Sequence, residues 1–414
     1  MEPQSTAFFL LLIVIFGGLM WWLVVTKHLV FRVLAACLAF LPAMLFGVAA
    51  VNKYYDYYQN WNSAISDLTN SDPGTGVPAA AGGPGVRLST FHGASIDRPL
   101  AAQDGYTLHL TVRGRLSHIK RSVYVYLPPQ YFQPEYRSYR FPAIELLHGF
   151  PGEPQDWLTV VGVTTTLQEL IAANLARPAV LVMPDVNGGR AISLQCLNQV
   201  HGPQDATYLA EDLPGYIAHT LRVQPPGRAW GIAGYSEGGF CAANLGLRYG
   251  TRFGYSGVLS GYFQPLDNQV GHPARLVNPF GGSARLRREN TPTDLVASLR
   301  AGTPIPQFWL GVGSGDRSDL RNAEVFEQLL EVRQPGVTLK VVRGGGHTMY
   351  TWRGLMPSLL DWMTPRLAEE AALHQARQAR EARADHGAAG AQRTKVAARH
   401  RRPAIAVRSP DAGS

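Results

Sequence analysis

A serine between two glycines is the first group in this sequence that could act as a nucleophile. Ser236 lies in Gly234-Tyr235-Ser236-Glu237-Gly238, a G-x-S-x-G pattern. An apolar run of strand length, Ala229–Ala233, precedes it, and the helix-favouring stretch Phe240–Leu247 follows it. A serine on a sharp strand-to-helix turn needs glycines two residues before and after it, because side chains there would clash. The pattern predicts an exposed nucleophilic hydroxyl above a sheet.

A serine nucleophile needs a base, and His347 is the downstream histidine with a suitable setting. It follows Gly344–Gly346 directly after a predicted strand, so its imidazole is expected on a loop at a strand end. A carboxylate must orient this base. Asp316, three residues past Gly313, is the first candidate. Asp319 is the alternative, although the helix dipole also favours an acidic residue in that first helical turn. The order serine, aspartate, histidine is that of α/β-hydrolases.

Stabilisation of an oxyanion requires two backbone N–H groups close to the serine. The residue after the nucleophile, Glu237, is the first predicted donor, and Phe150 in the segment His148-Gly149-Phe150 is the second. We expect His148 to be a structural hydrogen-bonding group rather than a second base. Four aromatic residues are candidates either for an acyl pocket or for the core: Trp157, Tyr262, Tyr350 and Trp352.

A polar loop follows the predicted strand Ala179–Met183. Its residues Asp185, Asn187 and Arg190 are candidates for substrate contacts, and capping of the loop is an equally good explanation for them.

The elements that must position these groups alternate between strand and helix patterns. This alternation predicts an α/β fold with a mostly parallel sheet and helices on both faces, over residues 88–366. The segment Tyr262–Pro292 reads as an irregular insertion. The predicted strands are Tyr106–Val112, Ser122–Leu127, Phe141–Leu147, Ala179–Met183, Ala229–Ala233, Tyr255–Leu259, Gln307–Val312 and Val337–Val342, and the predicted helices are Thr164–Leu175, Tyr208–Leu221, Phe240–Leu247, Arg321–Val332 and Trp352–Trp362.

The N-terminal residues 1–61 are predicted to form a membrane hairpin. Ala7–Val25 and Val33–Val51 are charge-free apolar runs of about the length that spans a bilayer. The loop between them carries Lys27 and Arg32, so the positive-inside rule places that loop in the cytoplasm and the rest of the chain outside it. A cleaved signal peptide is the rival interpretation, because Val48-Ala49-Ala50 resembles a cleavage site. Residues 62–87, rich in Gly, Pro, Ala and Ser, are predicted to be a flexible linker.

The net charge of +8 is concentrated at the C-terminus, where residues 366–414 hold ten Lys/Arg and five Asp/Glu. The body of the chain is nearly balanced, and nothing in it indicates nucleic-acid binding. We expect the tail, 367–414, to be helical to about Asp385 and disordered beyond. It is either a solvated tail or a contact for anionic lipid or a wall polymer.

Three cysteines are too few for a disulfide scaffold, and no spacing indicates a metal or another cofactor. Cys37 lies in the second apolar run. Outside the cytoplasm a bridge between Cys196 and Cys241 is permitted, and the sequence leaves it open.

Four segments together resemble one family: LLHGFPG, VMPDVNGGR, GYSEGGFCAANL and GGGHTMYTW. They are similar to the esterase family that contains enterochelin esterases, S-formylglutathione hydrolases and antigen 85 mycolyltransferases, over roughly Leu116–Arg366. The resemblance implies Ser236 as nucleophile, His347 as base, and Phe150 with Glu237 as oxyanion donors. The antigen 85 proteins differ from this chain in using a glutamate as the acid and in having no membrane anchor.

These observations predict a membrane-tethered serine esterase of α/β-hydrolase fold, with its catalytic domain outside the cytoplasm. Its substrate would be a small acyl ester or an envelope lipid. One alternative is an acyltransferase in which a sugar or lipid hydroxyl replaces water. A second is a non-catalytic surface binding module, which the complete Ser/Asp/His set argues against.

Overall fold

The protein is described here by a computed structural model of the whole chain. Side chains are described as far as residue 381, and the residues that the structure describes are 2–58, 61, 64–65, 98–189, 193–266, 279–300 and 302–400. Most of the predicted linker 62–87, Arg190 of the polar loop and the end of the tail therefore lie outside the described residues.

Two long helices form an antiparallel hairpin at the N-terminus: α1 (Thr6–Val25) and α2 (Leu29–Tyr55). Both are long and apolar enough to cross a membrane. The rings of Phe9 and Phe46 meet at 5.2 Å, and Gln4 donates to the carbonyl of Tyr58 at 3.0 Å. The start of α1 and the end of α2 therefore lie side by side, at the opposite end from the connecting loop.

The second helix begins earlier than the predicted Val33. Arg32 belongs to its first turn, and the connecting loop shortens to residues 26–28. The charge-free run is therefore shorter than the helix. The preceding apolar residues and a single arginine also fit into a helical turn.

Eight strands form one sheet in the order β1-β2-β4-β3-β5-β6-β7-β8. The first two strands are antiparallel to their neighbours, and β3 to β8 are parallel. The prediction of a mostly parallel sheet is confirmed. The strands are β1 (Tyr106–Arg113), β2 (Lys120–Leu127), β3 (Ala143–Leu147), β4 (Val180–Pro184), β5 (Gly227–Tyr235), β6 (Phe253–Leu259), β7 (Gln307–Gly313) and β8 (Thr338–Val342).

Helices cover both faces of the sheet, as buried parallel strands require. A π-helical turn at Tyr208–Asp212 joins the helices Asp205–Thr207 and Leu213–Thr220. The short helix Ala284–Arg288 lies inside the predicted irregular insertion. The helices are α3 (Arg98–Asp104), α4 (Asp156–Thr159), α5 (Val163–Ala172), α6 (Asp205–Thr207), α7 (Leu213–Thr220), α8 (Glu237–Arg248), α9 (Ala284–Arg288), α10 (Pro292–Ser298), α11 (Arg317–Glu331) and α12 (Met349–His400).

Three groups of buried side chains hold these layers together. The first core cluster, around Trp230 and Phe240, joins one face of the sheet to α7 and α8. The second core cluster, around Trp157 and Tyr235, joins the other face to α5 and the first half of α12. The third, around Phe326, packs α11 onto β7. Burial of each such large apolar side chain contributes about 1.5–3 kcal/mol, so these clusters fix the positions of the strand ends.

The last helix is longer than the sequence predicts. α12 is continuous through 52 residues and ends at His400, whereas disorder is predicted beyond about Asp385. Ala, Arg and Gln, which make up about half of residues 386–400, are strong helix formers, and they outweigh Gly387 and Gly390. Near its start, α12 packs on the sheet through Leu355, Leu359 and Met363.

Candidate active site

Ser236 lies on the sharp turn between β5 and α8, with φ 56° and ψ −118°. A side chain on either flanking glycine would collide with backbone. A Cβ on Gly234 would lie 2.2 Å from the carbonyl oxygen of Gly238, and a Cβ on Gly238 would lie 2.0 Å from that of Leu147. The strained serine conformation is thus held by the close packing of α8 against the end of β3.

His347 lies beside Ser236, on the loop that follows β8. Its Nε2 atom is 2.9 Å from the Ser236 hydroxyl, which is hydrogen-bonding distance. The imidazole is 38% exposed at the side chain, so a substrate could approach it. The predicted setting of this histidine, on a glycine loop at a strand end, is confirmed.

The loops after β7 and β8 are bonded to each other, which brings the acid and the base together. Gly315 donates to the carbonyl of Gly345 at 2.7 Å, and Gly344 donates to the Ser314 hydroxyl at 2.8 Å. A Cβ on Gly313 would lie 2.1 Å from the Gly345 carbonyl oxygen, so this approach requires glycine.

Both candidate aspartates contact the same nitrogen of His347. Nδ1 lies 2.8 Å from Oδ2 of Asp319 and 3.1 Å from Oδ2 of Asp316. Because carboxylates are acceptors, Nδ1 carries the proton and Nε2 is free to accept from Ser236. Serine, imidazole and carboxylate therefore form a continuous line of hydrogen bonds.

Both aspartates lie at the start of α11. Asp319 is in the first turn of that helix, as predicted, and Asp316 is its N-cap, because Oδ1 of Asp316 accepts the backbone N–H of Asp319 at 3.2 Å and the hydroxyl of Ser318 at 3.0 Å. The carboxylate of Asp319, three residues after the cap, contacts the imidazole. A side chain at that position lies over the first turn, so it reaches the same nitrogen as the capping residue.

The two carboxyl groups have opposite pKa shifts. Burial tends to raise the pKa of Asp316, but hydrogen bonds from Asp319 and Ser318 and the charge of His347 lower it overall. For Asp319, burial and the neighbouring Asp316 outweigh the hydrogen bond to His347 and raise the pKa. Burial alone would lower the pKa of His347, but the contacts with Asp319 and Asp316 raise it above its usual value. The pair therefore favours the imidazolium that forms when His347 accepts a proton.

The segment predicted to complete the oxyanion site lies directly beside the nucleophile. A Cβ on Gly149 would be 3.1 Å from the Cβ of Ser236, so the backbone of Gly149, which precedes Phe150, lies against the serine. Glu237 is the first residue of α8, where free N–H groups point out of the helix. His148 is fully buried, and its two nitrogens contact Gly149 O at 2.8 Å and Val186 N at 3.1 Å, which is the expected structural role.

The four aromatic candidates separate into different roles. Trp157 is fully buried in the second core cluster, and Tyr262 stacks on Phe240 at 4.9 Å. Trp352 contacts the His347 ring edge-on at 5.0 Å, and Tyr350 is 63% exposed. Trp352 is thus the member of the set that the structure brings to the histidine.

The polar loop after β4 is a capped turn. Oδ1 of Asp185 accepts the N–H groups of Asn187 and Gly188 at 2.9 and 2.6 Å, and Oδ1 of Asn187 accepts that of Leu194 at 3.0 Å. Arg121 donates to the carbonyl of Asp185 at 3.2 Å. Loop capping therefore accounts for Asp185 and Asn187.

Two functional contacts have no signal in the sequence. Asp156, fully buried, accepts the hydroxyl of Tyr235 at 3.1 Å and so fixes the residue that precedes Ser236. The side chain of Glu237 is also buried and accepts the N–H of Gln195 at 3.0 Å. Burial raises the pKa of the Glu237 carboxyl, against hydrogen bonds from Ser193 and Gln195. In the sequence both residues look like the acidic residues that commonly occupy the first turn of a helix, so neither their type nor their spacing reveals these contacts.

Cys196 and Cys241 form a disulfide bond. Cys241 lies in the first turns of α8, and Cys196 follows Gln195, which binds Glu237. The bridge that the sequence left open therefore ties the loop after β4 to the helix that carries the nucleophile.

Among the described side chains, Asp316, Asp319 and His347 form a group that could hold a metal ion, with ligand atoms within 4.8 Å of one another. A cation there would take the lone pair of Nδ1, the nitrogen whose proton the carboxylates accept. The hydrogen-bonded line to Ser236 needs that proton, so the arrangement fits proton transfer better than coordination.

The chain is similar to known proteins over most of the α/β domain. A family model described as "Putative esterase" matches residues 117–363. An uncharacterised protein of Corynebacterium glutamicum is 26% identical over 251 residues, which cover 59% of this chain and 57% of that protein. The MPT51 antigen of Mycobacterium leprae is 30% identical over 144 residues, covering 34% and 44% of the two chains. The chain thus spans about half the length of the curated relatives it matches.

A solved structure gives the fold independently. The S-formylglutathione hydrolase of Agrobacterium tumefaciens superposes with a TM-score of 0.53 and 21% identity, over 64% of this chain and 96% of that one. This likeness confirms the predicted α/β-hydrolase fold.

Proposed function

The chain belongs to the putative esterase family, and from this premise we propose that it is a serine esterase that hydrolyses a carboxylic acyl ester through Ser236, His347 and Asp319. The observation that carries the proposal is the hydrogen-bonded line from Ser236 Oγ through both nitrogens of His347 to Asp319, with distances of 2.9 and 2.8 Å. It is the arrangement by which an imidazole activates a hydroxyl.

In the first half of the reaction Ser236 Oγ attacks the ester carbonyl carbon while its proton passes to Nε2 of His347. The backbone N–H groups of Glu237 and Phe150 stabilise the oxyanion that forms. The imidazolium is stabilised by Asp319 and Asp316. It then gives its proton to the leaving alcohol as the ester C–O bond breaks, which leaves the acyl group on Ser236.

In the second half His347 removes a proton from water, and the resulting hydroxide attacks the acyl carbon. The bond to Ser236 breaks, the serine recovers its proton from His347, and the carboxylic acid leaves. If a sugar or lipid hydroxyl takes the place of this water, the acyl group is transferred instead. Product analysis with and without an acceptor alcohol distinguishes the esterase from this acyltransferase alternative.

We further propose that α1 and α2 anchor the chain in a membrane and that the α/β domain lies outside the cytoplasm. The length of both helices and the proximity of the two hairpin ends support an anchor. Lys27 and Arg32, at the opposite end, support the orientation. If protease added to intact cells leaves the whole α/β domain protected, the orientation is wrong. A mature N-terminus near Val51 would establish a cleaved signal peptide instead.

A fluorophosphonate probe tests the catalytic assignment, because it reacts with activated serine hydroxyls. We expect labelling of the full-length protein at Ser236 and none in Ser236→Ala. Ser260, a buried serine that also has a positive φ, supplies the control variant Ser260→Ala, which should still be labelled. Absence of labelling in the folded wild-type protein would favour the non-catalytic binding module.

A further inference from the structure

The end of the membrane hairpin packs directly against the α/β domain. Asp56, which caps α2, forms an ion pair with Arg353 of α12, and the same guanidinium donates to the Asp56 carbonyl at 3.3 Å. Arg353 also donates to the carbonyl of Val160 at 3.1 Å. The hairpin end is therefore held between α12 and the segment that follows α4.

The next two residues enter the core of the domain. Tyr57 and Tyr58 pack against the second core cluster, and the Tyr57 hydroxyl hydrogen-bonds to Asp156. The same Asp156 accepts the hydroxyl of Tyr235, which directly precedes Ser236. One buried carboxylate thus connects the hairpin end with the turn that carries the nucleophile.

Arg353 lies close to the histidine side of the site as well. Its neighbour Trp352 stacks on Tyr235 at 4.6 Å and contacts the His347 ring at 5.0 Å. Arg353 lies in the first turns of α12, which begins two residues after His347. Both sides of the site are therefore within one or two side chains of the end of α2.

This end of α2 has the character of a membrane boundary. Tyr54 and Tyr55 are 73% and 47% exposed, and exposed tyrosines favour the level of the lipid head groups. Tyr350, 63% exposed, precedes Arg353 by three residues and so shares its face of α12. A second exposed aromatic residue therefore lies on the face that meets the hairpin.

Docking of this kind has a cost that a freely tethered enzyme would avoid. Ordering Asp56, Tyr57 and Tyr58 against the domain costs conformational entropy, which the ion pair and the packed tyrosine rings offset. Its effect is to keep Ser236 and His347 beside the bilayer surface. This position gives no advantage for an ester dissolved in water, whereas the ester groups of membrane lipids lie at that surface.

We propose that the site acts on the acyl ester of a lipid that resides in the same membrane as α1 and α2. The inference rests on the proposed esterase activity and membrane anchor. Ser236 Oγ bonds to the acyl carbon and the lipid C–O bond breaks. His347 gives the proton to the departing lipid alcohol, and water then releases the fatty acid as described above.

Reconstituted vesicles test the proposal with the full-length protein. A self-quenched, acyl-labelled phospholipid is placed either in the vesicles that contain the protein or in separate, protein-free vesicles. Confinement to one bilayer raises the effective concentration, so we expect release of the label at least about tenfold faster in the first case. Equal rates in the two cases would overturn the proposal.

Variants at the docking contact supply the second measurement. Arg353→Gln should slow release of the label from the shared bilayer about tenfold more than it slows hydrolysis of a soluble short-chain ester. Arg366→Gln is the matched control, because Arg366 lies exposed on the same helix, where its guanidinium donates to the carbonyl of Trp362 and lies over the Trp362 ring. Equal losses on both substrates in Arg353→Gln would overturn the proposal.

The soluble ester separates the two levels of failure. If the wild-type protein hydrolyses the soluble ester and is labelled at Ser236 but leaves the bilayer ester intact, the lipid substrate is wrong and the esterase remains. If neither ester is hydrolysed and the fluorophosphonate does not react, the proposed function is wrong, and the proposed lipid substrate is then wrong as well.

Discussion

The carboxylate of Asp319 lies 2.8 Å from Nδ1 of His347, on the imidazole nitrogen that faces away from Ser236. Asp316 reaches the same nitrogen at 3.1 Å while its other oxygen caps α11. One aspartate therefore has the histidine as its main partner, and the other divides its two oxygens between the histidine and the helix.

This division predicts different outcomes for two isosteric variants. Asp319→Asn should lower turnover by as much as about 10⁴, because the amide imposes the wrong imidazole tautomer. Asp316→Asn should cost no more than about tenfold, because Asp319 still orients the imidazole and asparagine keeps the helix cap. Hydrolysis of a soluble ester by both variants at neutral pH makes the comparison. If Asp316→Asn is inactive and Asp319→Asn is active, Asp316 is the residue that orients His347 and the assignment to Asp319 is wrong.

The pH dependence of the reaction should report His347. Its pKa is raised above 6.5 by the two aspartates despite burial, and only the neutral imidazole can accept the serine proton. The acidic limb of the kcat/KM profile should therefore lie above pH 6.5. In Asp319→Asn the limb should move to lower pH, because the largest contribution that raises the pKa is gone. A limb that does not move would show that another group controls it.

Glu145 is predicted to lower the stability of the fold. It is fully buried in the middle of β3, and neither carboxyl oxygen has a hydrogen-bond partner among the described residues. Burial raises its pKa well above 4.5. Below the unfolded-state pKa the group is protonated in both states and has no electrostatic effect. As the pH rises above that value, stability is lost until the folded-state pKa is reached.

Glu145→Leu should therefore raise the free energy of unfolding by about 1–3 kcal/mol at pH 8, because an unpartnered polar group is removed from the core. The gain should shrink when unfolding is measured near pH 4.5. Glu324→Gln, on the exposed face of α11, is the control and should leave stability within about 0.5 kcal/mol. A destabilised Glu145→Leu would indicate a polar partner for this carboxyl.

Loss of the disulfide should weaken both the fold and the site. The bridge joins residues separated by 45 positions, a loop length for which chain entropy predicts about 4 kcal/mol. The double variant Cys196→Ala/Cys241→Ala should lower the free energy of unfolding by about 2–4 kcal/mol. It should also reduce turnover, since Cys241 lies one turn from Ser236. Cys37→Ala removes the remaining cysteine and is the control. Unchanged stability in the double variant would contradict the bridge.

The elbow of Ser236 and the loop of His347 are predictable because each depends on local sequence. Gly234 is required by a contact within the turn and Gly238 by the close approach of Leu147, but both belong to one short motif, and Gly344–Gly346 follows a strand pattern. The choice between Asp316 and Asp319 cannot be made from local sequence, since both lie in one helical turn and both reach Nδ1 of His347.

Contacts across the chain could not be predicted in this way. Asp56 and Arg353 are 297 residues apart, and neither lies in a recognisable pattern. Asp156 similarly joins Tyr57 to Tyr235 only after the sheet has formed. The end of α12 is hard to predict for another reason. A segment rich in Ala, Arg and Gln is compatible both with a helix and with a disordered, solvated tail.

The docking of Asp56 and Tyr57 also determines what the segment 59–97 can do. Both of its ends belong to one body, because the hairpin end is bound to α12 and α3 begins at Arg98. The segment therefore joins two points of one body and does not set the distance between the hairpin and the α/β domain. The entropy of loop closure changes by only about 0.6 kcal/mol for each doubling of length. Changes in the length of residues 66–97 should consequently leave the distance between the hairpin end and the nucleophile unchanged.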